Sequence, residues 1–333
     1  MSNSTADIVC NIHICPIEDS YYYYRPSLPM NSILMALFIV SLLLNISQGI
    51  WYRTWTFTFA LVSGNIAEVL GYVGRIISYN DPFNMNGFLM QICCLTFAPA
   101  FFAAGIYLCL SRIVTIYGAD ISRIRPVRYT QIFICCDFFS LVLQGAGGGI
   151  ASVASQNQKD PANGTHIMVA GLAFQVFTIA LFMFLCAEYA YRVATSGRKL
   201  DPIYEHLRGS WKFKGFLVMI GFATVCIQIR SIYRLIELSQ GWKGKLIRNE
   251  TYFFVLEGIM VILAVLSMNL FHPGDCLKDA YNARKAAEED LDKQDTPNEK
   301  SSAQKSFLPE GFQLLTLNFE TSSLRGLVVG AGF

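Results

Sequence analysis

The chain has 333 residues, 53% of them hydrophobic, only 15% charged, and a formal charge of +2. Soluble domains carry about 25% charged residues, so the shortfall excludes an ordinary water-soluble protein and points to a membrane, as does the mean hydropathy of +0.39. The net charge is uninformative as a total, and no nucleic-acid partner is expected.

Residues 1–29 are polar and form an N-terminal segment. They lack the basic-then-apolar start of a secretory signal peptide, so the first span is expected to act as its own insertion signal. Seven long apolar stretches follow, at 30–50, 55–78, 88–112, 129–153, 167–191, 215–237 and 251–271. A hydrocarbon core of about 30 Å needs about 20 apolar residues of helix. Lipid tolerates only structures that satisfy every backbone polar group, helices or closed barrels. These runs show no period-2 alternation, so they read as helices. The expected fold is all-α, a seven-transmembrane-helix bundle over 30–271 with short loops, no inserted domain and no evident internal repeat.

Span two carries Asn65, Glu68, Tyr72 and Arg75, whose spacing of three, four and three puts them on one helical face. Gly64 and Gly71 lie beside that face and allow a neighbouring helix close approach. Span three contains Ala98-Pro99-Ala100. Pro99 removes a backbone donor and frees the carbonyl of Leu95, which Thr96 is placed to bond. A kink is expected there, either as a moving hinge or as static close packing. Span four holds Asp137 and the run Gln144-Gly145-Ala146-Gly147-Gly148-Gly149. The run lacks the Lys-Ser/Thr ending of a phosphate loop. The GxxxG pair Gly145/Gly149 predicts tight packing or a local unwinding. Span six carries Arg230, Arg234 and Glu237 on one face, and span seven carries Glu257.

The tail, 272–333, opens with Phe271-His272-Pro273-Gly274, read as a helix end. A surface helix over 280–292 is expected, with the rest of the tail largely disordered. The closing run 324–333 is too short and glycine-rich for an eighth span.

Lys and Arg near the spans set the orientation. The loops after spans one, three and five hold Arg53, Arg112, Arg123, Arg125, Arg128, Arg192, Arg198, Lys199, Arg208, Lys212 and Lys214. The other side has only Arg25, Lys159, Lys243, Lys245 and Arg248. The N-terminus is therefore expected outside and the tail in the cytoplasm. The sequons at Asn3, Asn163 and Asn249 fall on the expected outer side; Asn3 and Asn163 are the glycosylation candidates, since Asn249 sits too near span seven. Of the ten cysteines, seven lie in spans as small packing residues. Cys10 and Cys15 share the outer segment, where a disulfide between them is expected. Cys276 is read as a free thiol, with palmitoylation the alternative.

The four histidines are scattered at span ends or beyond, which argues against metal hydrolase or iron hydroxylase chemistry. Span seven has no Lys for a retinal Schiff base, and no ATP-binding motif is present. No enzyme activity and no cofactor is expected.

Given the span directions, Arg75, Gln144, Arg230, Arg234, Glu237 and Glu257 fall in the outer half of the membrane, with Glu68 near the middle. Ionisable residues in spans are costly and usually face the interior. Three readings fit. One is a charged, partly hydrated pocket open toward the outer leaflet, with these seven residues binding a substrate. The second is a set of ion pairs that fix helix register. The third is snorkelling of Arg75 and Arg234 to the interface.

Several ordered local sequences carry a resemblance: Glu68-x-x-Gly71-Tyr72-x-Gly74-Arg75; Ala98-Pro99-Ala100 with Ala103-Ala104-Gly105-Ile106-Tyr107 and Ser111-Arg112; Asp137 with the glycine run; Arg230-Ser231-Ile232-Tyr233-Arg234-x-x-Glu237 with Gly241; Glu250-x-x-Phe253-x-x-x-Glu257; and His272-Pro273-Gly274. Together they resemble the fungal lipid-translocating exporter family, the RTA-like proteins linked to aminocholesterol resistance. The resemblance implies a translocase for sphingoid bases or other amphiphiles, including sterol-like or porphyrin-like compounds, and resistance to toxic lipids or drugs. It implies membrane lipids and an amphiphilic small molecule as partners, with the plasma membrane the expected location and an endomembrane the alternative. The family commonly has Asp where this chain has Glu257. A seven-span lipid sensor signalling to a cytoplasmic partner fits the topology equally well.

Overall fold

A computed structural model gives the architecture, and it describes residues 15–17, 20, 22–118, 126–157, 159–195, 204–241, 244, 246 and 248–277. The chain divides into a unit over Met1–Asn282 and a second over Ala283–Phe333. The second unit, with the surface helix and closing run expected in the tail, lies outside the described residues.

The described residues are helical, without a strand. The helices are α1 (Leu28–Tyr52), α2 (Trp55–Asn80), α3 (Met85–Tyr117), α4 (Pro126–Gln156), α5 (Ala162–Thr195), the short α6 (Glu205–Gly209), α7 (Trp211–Ser239), α8 (Glu250–Tyr252), α9 (Met260–Leu270) and α10 (Pro273–Cys276). A π-helical segment, Phe253–Ile259, joins α8 to α9 and makes one continuous rod of the seventh span. Seven helical stretches among the described residues are long and apolar enough to cross a membrane. The protein is an integral, multi-pass membrane protein. The spans are longer than expected; α3 and α5 extend by about a turn or more beyond their apolar cores.

Local chemistry sets the helix ends. Arg53 takes a left-handed conformation (φ 55°) that stops α1 and turns the chain into α2 within two residues. Asn84 caps α3, its side-chain oxygen accepting from the backbone N–H groups of Asn86 and Gly87. His272 is buried and caps α10 by accepting from the Gly274 N–H at 3.0 Å, while its ring stacks on Tyr52. It marks a helix end, as expected.

Each long helix packs on its chain neighbours, and α9 closes the ring against α1. Helix α3 is the most buried span and also touches α7 across the bundle. Close crossings rely on glycine. A Cβ on Gly74 would meet the Gly87 carbonyl oxygen and the Gln91 amide of α3, and one on Gly147 would meet the Met168 amide of α5. Gly64 and Gly71 lie against Phe102 and Leu95 of α3. The expected GxxxG pair is not the contact in α4: Gly149 faces open space and Gly145 only grazes Phe97. The glycine run stays helical throughout. Leu43, Phe59, Phe138, Phe184 and Leu270 are among the large apolar side chains left on the outside of the bundle, where lipid covers them.

Candidate functional site

The polar face of α2 turns inward. Asn65, Glu68, Tyr72 and Arg75 are all buried, at 1% exposure or less. On α7, Arg230, Arg234 and Glu237 are buried too, and on the π-helical segment so is Glu257. Six of the seven residues expected to bind substrate therefore line one interior.

The charges form a ladder leading in from the face that carries residues 20–27. At its mouth, Arg75 donates from Nη2 to Glu250 Oε1 and to the Tyr24 hydroxyl, both at 3.1 Å, and from Nε to Asn31 Oδ1 at 2.8 Å. Its guanidinium lies 3.9 Å from the Phe253 ring centroid, a cation–π contact strengthened by burial. Arg75 is thus anchored inside and does not snorkel. One step deeper, Arg234 Nη1 pairs with Glu237 Oε2 at 2.5 Å, and its Nε lies 3.5 Å from Glu257 Oε1. Tyr233 donates to Glu237 Oε1 at 3.1 Å. Deeper still, Arg230 Nη2 pairs with Glu257 Oε1 at 2.5 Å, with both side chains fully buried.

The same Arg230 Nη2 also donates to the Leu95 carbonyl. That is the carbonyl Pro99 leaves free. Thr96, a candidate partner for it, accepts at Oγ1 from Arg234 at 3.4 Å. Helix α3 runs through Pro99 without a break. A guanidinium from α7 takes the place of the missing N–H, tying the two helices together.

Glu68 sits deepest, twelve residues from the end of α2, or about 18 Å along the helix. Neither of its carboxylate oxygens has a hydrogen-bond partner. The Tyr72 hydroxyl, Asn65 Oδ1, Glu257 Oε2, and Nε and Nη1 of Arg230 are unpartnered as well. Glu68 interacts electrostatically with Glu257, Arg230 and Arg234. Buried polar groups are normally paired, so this concentration of unpaired atoms around one carboxylate marks the inner end of the ladder.

Gln144 is not part of it. Its amide donates to Ser140 Oγ and to Gln175 Oε1 at 3.0 Å, inside the α4–α5 contact. Asp137 is also apart, accepting from the Tyr107 hydroxyl at 2.9 Å. Residues absent from the expected set complete the mouth. Tyr22 is buried; its hydroxyl donates to Gln91 Oε1, and its ring packs edge-on against Phe88. Burial pushes the Tyr22 phenol up to about 12 against the pull of Arg75. The Ser27 amide donates to Glu250 Oε1 at 2.7 Å. Together Tyr22, Tyr24, Arg75, Gln91, Arg234 and Glu237 surround a cavity of about 20 Å³, room for one water. Signals for these residues lay in the tyrosine run at 21–24 and in Glu250, seven positions before Glu257.

Cys15 is disulfide-bonded, while Cys10 and Asn3 lie outside the described residues. Asn163 is exposed at the start of α5. Cys276 is a buried free thiol. Among the described residues no group of three or more His, Cys, Asp or Glu is placed to hold a metal ion.

Comparison with known proteins identifies the family. The family model described as "RTA1 like protein" matches residues 61–280, which takes in every rung of the ladder from Glu68 to Glu257. The sphingoid long-chain base transporter RSB1 of Saccharomyces cerevisiae (strain Lalvin EC1118) is 34% identical over 280 residues, 76% of this chain and 73% of the relative. Protein RTM1 of Saccharomyces cerevisiae is 30% identical over 207 residues, covering 62% of this chain and 64% of the relative. Protein RTA1 of the same species is 29% identical over 206 residues, 62% of each. No solved structure matches. This seven-span protein belongs to the RTA1-like family.

Proposed function

We propose that this protein moves amphiphilic lipids with a cationic head group, of the sphingoid-base kind, across the membrane. The kinship with a sphingoid long-chain base transporter supports the substrate class. The observation that carries the reading is the charge balance of the inner ladder. Three buried carboxylates, Glu68, Glu237 and Glu257, face two buried guanidiniums, Arg230 and Arg234. The Arg75–Glu250 pair balances itself. The ladder is therefore one positive charge short, and the shortfall falls at Glu68, the carboxylate without a partner. An unpaired charge in a membrane interior costs about 3 kcal/mol or more, so the site favours a cation that fits it.

A primary ammonium fits. It has three N–H donors and no acceptor, and Glu68 and Tyr72 (i, i+4 on α2) and Asn65 (i−3) present unpartnered oxygens on one face. The acyl tail would lie between helices. The cavity of about 20 Å³ at the mouth has room for one water and none for a lipid chain behind an ammonium, so in this reading Tyr22 and its neighbours move aside for a ligand. In this reading the face carrying residues 20–27 points outward, as the Lys/Arg asymmetry supports. The location is the plasma membrane, and the cellular outcome is resistance to toxic amphiphiles.

The test is protein-dependent movement of a fluorescent sphingoid base in liposomes holding the purified full chain, wild type or Glu68→Gln. Loss of most of the flux in Glu68→Gln, with an N-acylated neutral analogue unmoved by wild type, is the expected result. Equal flux in the two forms would remove Glu68 from the site. No flux in wild type, with a base-triggered conformational change, would instead make the chain a sensor.

A further inference from the structure

We infer that Glu68 binds either a proton or the substrate ammonium, one at a time, so that base moving one way across the membrane is exchanged for a proton moving the other way. The inference rests on the lipid-base reading above and supplies what that reading leaves open, the source of the driving force.

Two facts limit which cations can serve Glu68. The site is enclosed: Glu68, Arg230 and Glu257 are fully buried, and the cavity at the mouth, which none of them lines, has room for one water. A hydrated metal cation has no space between these packed side chains, and among the described residues no group of three or more His, Cys, Asp or Glu is placed to hold a metal ion. The groups around Glu68 also leave its charge uncovered. Its own helix α2 presents Asn65 and Tyr72. The π-helical segment presents Glu257, which repels it, and α7 presents Arg230 and Arg234, whose shortest contacts go to Glu257 and Glu237. Helix α3 presents Cys94. The buried face of α1 (Asn31, Leu34, Phe38, Ser41, Asn45, Gly49) and the buried Val261, Ile262 and Val265 of α9 bring no titratable group. Some cation must therefore balance Glu68 whenever substrate has left, and a proton does so without a ligand shell.

The exchange balances. The protonated carboxyl of Glu68 loses its proton to water as an incoming R–NH₃⁺ takes its place, giving the carboxylate–ammonium pair and one free proton. On the other side the ammonium leaves as a proton returns. The site carries the same charge in both forms, so each full cycle moves no net charge.

The test uses the full-length protein in liposomes enclosing a pH-sensitive dye, with a fluorescent sphingoid base as probe and protein-free liposomes subtracted. A proton gradient directed against the base should raise the protein-dependent rate several-fold. The dye should report one proton per base moved, and clamping the membrane potential with potassium and valinomycin should leave the rate unchanged. Glu68→Gln should show no base-dependent proton signal, and Glu68→Asp should keep it. Wild type moving base at one rate with and without the gradient, or base moving without proton counterflow, would overturn the exchange and leave the transporter reading standing. No protein-dependent movement of base at all would overturn that reading instead.

Discussion

Arg230 holds the inner half of the ladder with one nitrogen. Its Nη2 reaches both Glu257 and the Leu95 carbonyl, while its Nε and Nη1 have no partner. Removing one member of a buried pair leaves an uncompensated charge and costs about 3–5 kcal/mol, whereas replacing both with apolar groups is often neutral. Arg230→Met alone should therefore destabilise strongly, and Arg230→Met with Glu257→Met should recover most of the loss. Thermal unfolding in detergent, run as a double-mutant cycle, measures this; simple additivity would show that the two side chains do not act as a pair. Much of this scale was legible beforehand. The i, i+3 and i+4 spacing put Asn65, Glu68, Tyr72 and Arg75 on one face, and no charged face can lie against lipid. The partners of Arg75 were not legible. Tyr24, Asn31 and Glu250 lie 51, 44 and 175 positions away in the chain, a distance that helical periodicity cannot bridge. Gln144 misled for the same reason. Its depth matched the charges, but depth does not say which neighbour a helix turns toward.

At the scale of elements, Pro99 and Glu257 mark two places where the regular hydrogen-bond ladder is interrupted or altered. Pro99 leaves the Leu95 carbonyl to Arg230, so α3 stays whole while being coupled to α7. Glu257 sits within a π-helical segment of seven residues, an uncommon geometry frequently found at functional sites. The wider π turn changes which side chains face inward along the seventh span. Pro99→Ala would restore an N–H aimed at the Leu95 carbonyl, competing with Arg230 for it. The expectation is an unchanged or higher melting temperature with slower movement of base, read from unfolding curves and the liposome assay together. Unchanged flux would make Pro99 a packing residue alone. The proline was visible in the sequence. The π segment was not, because 3.6- and 4.4-residue turns place Glu257 on almost the same apolar run. The glycine run of α4 shows the same limit: small residues predict that something comes close, while Gly147 being the one pressed against the α5 backbone depends on how the two helices cross.

At the scale of the molecule, charge imbalance and topology act together. The ladder starts beneath the face carrying residues 20–27, where Tyr22 covers it, and ends near mid-bundle at Glu68. If that face is outward, Asn163, exposed at the start of α5, is on the glycosylated side of the membrane. Enzymatic deglycosylation of the protein from a eukaryotic host should shift its gel mobility, and Asn163→Gln should reduce the shift. A protease added to sealed cells that removes the tail would reverse the assignment. Sequence by itself determined the seven spans, the helical class and the burial of the charged faces, because twenty apolar residues in lipid have one stable form and charge has one tolerable direction. Only the tertiary structure decided which charges pair, that Tyr22 closes the mouth, and that Glu68 is left over. Those outcomes depend on ångström-scale approach between helices remote in the chain, and no local pattern encodes that distance.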